Sequence, residues 1–136
     1  MTIELPASVR RSMFDHAGDG DPREVVGVLA GTHGDTSAIE RGYRATNAAD
    51  DPRVRYEIAP GEELELLERI DDDGHDVVGF YHSHPRGPLE PSATDARLAA
   101  WPDYSYLIVS LAADPPAVGS WRWRGDGFER EPVRSV

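Results

Sequence analysis

The stretch that most constrains this chain is Gly79-Phe80-Tyr81-His82-Ser83-His84-Pro85, followed by Ser92-Ala93-Thr94-Asp95. Side chains at i and i+2 of a β-strand point to the same face, so His82 and His84 project side by side. The residues from His75 to Tyr81 include apolar β-formers and read as that strand. Pro85 ends it, because proline cannot donate to a ladder. Arg86 to Pro91 turns the chain, and Ser92 stands where a helix begins. Strand, short loop and helix start then bring two imidazoles and one carboxylate to one point. Two imidazoles and one carboxylate, here His82, His84 and Asp95, make a His₂-carboxylate set of the kind that holds a catalytic zinc and leaves a fourth position for water.

Each piece has an ordinary reading. His-x-His on a strand is usually a pair of surface or hydrogen-bonded histidines, and Ser-x-x-Asp is usually a helix start. Their combination is more specific than either. Capping also leaves room for ligation: Ser92 caps while Asp95, one turn in, faces the metal. Seven residues separate His84 from Ser92 and two separate Ser92 from Asp95. This pattern resembles the JAMM (MPN+) metalloprotease motif: a distant Glu, His-Ser/Thr-His, seven residues, Ser, two residues, Asp. Upstream, Glu24-Val25-Val26-Gly27-Val28-Leu29-Ala30-Gly31 is a short apolar run between turn signals and reads as a central strand. Taken alone, Glu24 is a solvated strand end. The pattern Glu-x-x-Gly-x-Leu-x-Gly resembles the strand that carries the upstream Glu of JAMM proteins, and that Glu is carried over to Glu24.

Composition narrows the function further. The chain has 136 residues, 25 acidic and 14 basic, with a net charge of −11; every basic residue is arginine and cysteine is absent. A nucleic-acid binder shows a basic stripe, and this balance is the opposite. Without cysteine there are no disulfides, no thiolate nucleophiles and no Cys-ligated zinc. Zinc deaminases combine His-x-Glu with Pro-Cys-x-x-Cys, and neither half is present. Acidity without lysine points to salt adaptation, as in proteins of halophilic archaea, against the alternative of an acidic bacterial protein. No apolar leader or membrane-length run occurs, so a cytoplasmic protein is expected.

The rest of the chain reads as alternating elements. Leu5 to Ala17 has helical spacing with Pro6 in its first turn, and Gly18 to Pro22 ends it. His16 reads as a helix-surface residue. Thr36 to Asn47 and Arg53 to Ile58 read as strands, Glu62 to Asp73 as a helix and Ser92 to about Trp101 as another. Tyr104 to Leu111, Val118 to Arg124 and Phe128 to Val133 read as strands, the last two joined at Gly125-Asp126-Gly127. Trp121 and Trp123 share a face and read as core packing. About three helices and seven strands give one α+β domain over residues 1–136. JAMM/MPN domains have this kind of architecture, a curved mixed sheet flanked by helices. The chain is near that family's minimal length.

The resemblance implies the chemistry. Zinc on His82, His84 and Asp95 would bring the pKa of its water to around 7. Glu24 matches the family's general base, and Ser92 matches the residue that shares the charge of the tetrahedral intermediate. Ser83, between the two ligands, points away from the metal. The family cleaves bonds after the Gly-Gly tail of ubiquitin-like proteins. The expected activity is therefore a deubiquitinase-like or desampylase-like zinc isopeptidase. Its partners are ubiquitin-like modifier or sulfur-carrier proteins, removed from lysine side chains or linear fusions. The tail is expected to bind extended, against a sheet edge. Two alternatives are hydrolysis of a sulfur-carrier–cysteine adduct and a non-catalytic MPN scaffold.

Overall fold

A computed structural model describes residues 1–136. Its elements run β1 (Thr2–Leu5), α1 (Ala7–Gly20), β2 (Val26–Thr32), β3 (Thr36–Ala45), α2 (Pro60–Asp72), β4 (Asp76–His84), α3 (Ala93–Leu98), β5 (Ser105–Ser110), β6 (Ala117–Trp123), β7 (Phe128–Glu131) and β8 (Val133–Ser135). All eight strands form one sheet in the order β7-β6-β5-β4-β2-β3-β1-β8. The pairs β1–β3, β1–β8 and β4–β5 are parallel and the others antiparallel. This is the expected α+β architecture, a mixed sheet with helices on both faces. Register shifts on β2, between Leu29 and Ala30 toward β4 and between Ala30 and Gly31 toward β3, mark bulges that bend the sheet.

Helix α1 covers one face through Val9, Met13 and Ala17, spaced i, i+4 and i+8, which pack on Leu29, Tyr81 and Leu107. The other face carries Val28, Phe80 and Tyr106 and is covered by Ile70 of α2 and the segment around α3. Alternation on β4 therefore sends Tyr81 and Ser83 toward α1, and Phe80, His82 and His84 toward α2 and α3. Every β4 residue from Val78 to His84 is buried. Gly79 lets β4 and β5 close up, because a Cβ there would run into the carbonyl of Ser105.

Four readings change. Leu5 lies in β1, not in the first helix, and Ile3 and Leu5 are the inward residues of a four-residue strand. Leu5 satisfies a period of two with Ile3 and helical spacing with Val9, so the pattern alone could not place it. The final segment splits at Pro132, and β8 returns to pair with β1. Arg53 to Ile58 is not a strand; its only ladder contact is one bridge between Asn47 and Ile58. The side chain of Asn47 takes up its backbone groups instead, accepting from the Glu57 amide and donating to the Arg55 carbonyl. His16 is half-buried, and its Nδ1 lies 2.6 Å from the hydroxyl of Tyr81. On β6 both faces are enclosed. Arg122 is 2% exposed, donates to Glu131 at 2.9 Å and also reaches the Asp103 and Gly34 carbonyls.

Candidate metal centre

The end of β4 sets the first two donors. His82 and His84 share a face, and Pro85 turns the chain away immediately after them. The loop folds back so that His84 Nδ1 donates to the Pro88 carbonyl at 2.9 Å. A carbonyl can only accept, so this bond fixes the tautomer: in neutral His84 the proton is on Nδ1 and Nε2 presents a lone pair. Ser110 Oγ holds the same loop by donating to the Gly87 carbonyl at 2.9 Å.

Helix α3 brings the carboxylate. Ser92 is its N-cap; Oγ accepts from the Asp95 amide at 3.0 Å while Asp95 Oδ2 accepts from the Ser92 amide at 2.9 Å, a reciprocal capping box. That box aims Oδ2 at the histidines, 3.1 Å from His82 Nε2 and 3.0 Å from His84 Nε2. The two Nε2 atoms are 3.2 Å apart. Asp95 is 4% exposed, so capping and convergence on the imidazoles occur in one buried carboxylate.

Glu24 arrives from the other side. It lies two residues ahead of β2, whose Val26 pairs with His82. Its own amide donates to the Pro52 carbonyl at 2.6 Å, and its carbonyl accepts from Asn47 Nδ2 at 2.8 Å. The carboxylate is left without a hydrogen-bond partner at Oε1 although the residue is only 6% exposed. Donor atoms of Glu24, His82, His84 and Asp95 all lie within 4.8 Å of one another.

The charges follow from this crowding. Burial pushes the Glu24 carboxyl up to about 7; Asp95 adds to the rise and His84 opposes it. Burial also works against charge on Asp95, but the His82 and His84 hydrogen bonds outweigh it and hold the carboxyl well below the usual range. Burial lowers His82, while His84 is raised because its bonds to Asp95 and Pro88 overcome burial.

The donor set fits a metal cation. Two imidazole nitrogens and one carboxylate oxygen meet at 3.0–3.2 Å. Ligands at about 2.0–2.1 Å from a tetrahedral centre are about 3.3–3.4 Å apart, so little movement is needed to hold an ion such as zinc. The lone pair of His84 points into that gap. A carboxylate oxygen of Glu24 lies within 4.8 Å of these donors.

Two neighbours had no local signal in the sequence. The ring of Tyr56 stacks on His82, with centroids 4.4 Å apart and planes at 28°. Beyond Tyr56 opens a cleft of about 520 Å³ lined by Ile58, Phe80, Leu98, Trp101 and Tyr106. The expected sheet edge is not at this site. β4 is flanked by β2 and β5, and the free edges are β7 and β8, at the ends of the strand order. Ser83 faces the opposite side, where its hydroxyl accepts from the Val25 amide at 2.9 Å.

Comparison with known proteins agrees with this arrangement. The family of prokaryotic homologues of the JAB domain matches residues 6–124. A desampylase of Haloferax volcanii is 42% identical over 135 residues, covering 96% of this chain and 94% of that protein. A CysO-cysteine peptidase of Mycobacterium tuberculosis is 36% identical over 136 residues, covering 98% of this chain and 91% of that protein. The solution structure of a protein from Desulfitobacterium hafniense superposes with a TM-score of 0.89 at 33% identity, covering 100% of this chain and 93% of that one. The match to that family's model over residues 6–124, together with relatives 36% and 42% identical over nearly the whole chain, makes this chain a member of the prokaryotic JAB-domain family.

Proposed function

We propose that the protein is a zinc-dependent isopeptidase that cleaves the bond after the C-terminal Gly-Gly of ubiquitin-like modifier proteins. The observation that carries this reading is the convergence of His82, His84 and Asp95 at 3.0–3.2 Å beside a free, buried oxygen of Glu24. The similarity to a desampylase over nearly the whole chain supports the substrate class.

His82 and His84 through Nε2, and Asp95 through Oδ2, are the residues that would hold zinc. The bound ion supplies Lewis acidity, which acidifies water near neutral pH and draws charge from a carbonyl. The other roles belong to the chain. The Glu24 carboxylate takes a proton from the attacking water as the new C–O bond forms at the last glycine. The same carboxyl returns that proton to the departing lysine nitrogen as the C–N bond breaks. The products are a glycine carboxylate and a free amine. Ser92 Oγ already accepts from the Asp95 amide, which leaves its O–H to donate to the carbonyl oxygen as negative charge develops. The cleft beside Tyr56 gives the substrate chain a place to lie.

The decisive experiment is incubation of the purified protein with a modifier–lysine conjugate, with and without a zinc chelator. Cleavage that stops with chelator and returns with zinc is expected; cleavage indifferent to chelator sinks the metal reading. His84→Ala and Asp95→Ala should lower zinc content and activity together, and full zinc occupancy in Asp95→Ala would remove it from the ligand set.

A second reading, hydrolysis of a sulfur-carrier–cysteine adduct, is favoured by the similarity to a CysO-cysteine peptidase. A carrier–cysteine adduct and a modifier–lysine conjugate assayed side by side separate the two. The substrate class goes with a cytoplasmic setting, and the lysine-free, acidic composition with high salt.

A further inference from the structure

The two histidines at the centre are held in different ways. His84 is oriented by a hydrogen bond from Nδ1 to the Pro88 carbonyl. Histidines that bind metals almost always have such a bond on the second nitrogen. His82 has none: its Nδ1 is buried and makes no hydrogen bond, and the residue is 1% exposed. What touches the ring of His82 is the ring of Tyr56, stacked at 4.4 Å and 28°.

Tyr56 lies on a segment that is neither helix nor strand, between β3 and α2. Such a segment needs a clamp to hold a ring to a fixed plane. Asn47 is that clamp. Its Nδ2 donates to the carbonyls of Glu24 at 2.8 Å and Arg55 at 3.0 Å, with a longer contact of 3.5 Å to Pro52. Its Oδ1 accepts from the amides of Ala49 at 3.0 Å and Glu57 at 3.1 Å. One side chain thus fastens the residues on both sides of Tyr56 to the backbone of Glu24.

We propose that Tyr56, clamped by Asn47, is the positioning residue for His82, its ring face doing for that imidazole what the Pro88 carbonyl does for His84. The proposal rests on the reading of His82 as a metal ligand. Tyr56 touches no reacting atom in this account; it fixes the plane in which His82 Nε2 points at Asp95 and His84. Its ring also borders the cleft, so a chain lying there presses on the element that orients the metal ligand.

The test is cobalt binding to the metal-free protein, read by chelator competition and by the visible spectrum, which reports ligand geometry without any turnover. Tyr56→Phe keeps the ring and should bind within about threefold of wild type with an unchanged spectrum. Tyr56→Leu should lose about 10- to 100-fold in affinity, the scale found when partners of a metal-bound histidine are removed, and its spectrum should shift. Tyr104→Leu is the control, because Tyr104 stacks on a histidine outside the site, His33, at 4.3 Å and 22°; it should bind as wild type. If Tyr56→Leu fails to fold, Asn47→Ala replaces it, since the ring remains but its segment is released, and the same loss is expected. Wild-type affinity and spectrum in a folded Tyr56→Leu or Asn47→Ala protein overturn the proposal. So does a Tyr56→Phe protein as impaired as Tyr56→Leu, which would assign the effect to the hydroxyl. Wild-type protein that bound no cobalt would defeat the metal reading itself, a result distinct from failure of the Tyr56 variants alone.

Discussion

Ser83, the residue between the two histidines, accepts the amide N–H of Val25 through its hydroxyl at 2.9 Å, and the Ser83 amide in turn donates to the Val25 carbonyl at 3.1 Å. This pair of hydrogen bonds between strands sets Glu24, the next residue back, against the histidine strand. Ser83 therefore faces away from the cluster and holds the backbone that carries Glu24.

Replacing Ser83 with alanine removes the hydroxyl and leaves the buried Val25 amide without that acceptor. The expected cost is about 1–3 kcal/mol of stability, the usual penalty for a buried group left unpaired. Zinc content should stay near wild type, because both imidazoles keep their strand, while turnover falls. Denaturant unfolding and zinc analysis on one preparation check both parts. Loss of zinc along with turnover would mean that Ser83 supports the ligands and not only Glu24.

The pH dependence of stability should isolate Glu24. Its folded carboxyl sits at about 7 against an ordinary 4.5, with burial the main cause. The folded state therefore binds the proton more tightly than the unfolded state, and protonation stabilises it. As pH rises from about 4.5 to 7 this contribution is lost, and above 7 the penalty is constant. In metal-free protein, Glu24→Gln should be more stable than wild type by on the order of 1–2 kcal/mol above pH 7, allowing for solvent screening of the shift, and by little near pH 4. The check is the difference in unfolding free energy between the two proteins at several pH values. A difference that does not change with pH would show that Glu24 titrates as an exposed carboxyl.

With 25 acidic and 14 basic residues the folded chain repels itself, and salt screens that repulsion over a Debye length of about 3 Å at 1 M. Melting temperature should rise between dilute buffer and molar sodium chloride. An unchanged value would count against salt adaptation.

The site was more legible than the fold around it. His82, His84, Ser92 and Asp95 lie within 14 residues, and strand parity with a capping pattern places them without knowledge of the sheet. Glu24 is 58 residues from His82; its placement depends on antiparallel pairing of β2 with β4, which the sequence shows only through family resemblance. Tyr56 reads as a strand residue because Val54, Tyr56 and Ile58 alternate as a strand does. The alternation has no partner strand: Val54 is 61% exposed, Tyr56 packs on His82, and Asn47 supplies the bonds that a ladder would have made. β1 and β8 are short and their pairing joins the two ends of the chain, a contact that no local pattern carries.

The central claim is that His82, His84 and Asp95 bind the metal while Glu24 moves the proton. Glu24→Gln tests it most directly, since the amide keeps the shape and removes the base. The measurement is conjugate cleavage, with zinc stoichiometry determined on the same sample. The account predicts one zinc per chain as in wild type, binding of the Gly-Gly-tailed modifier retained, and turnover lower by roughly 100-fold or more. Near-normal cleavage by a zinc-loaded Glu24→Gln protein would contradict the account.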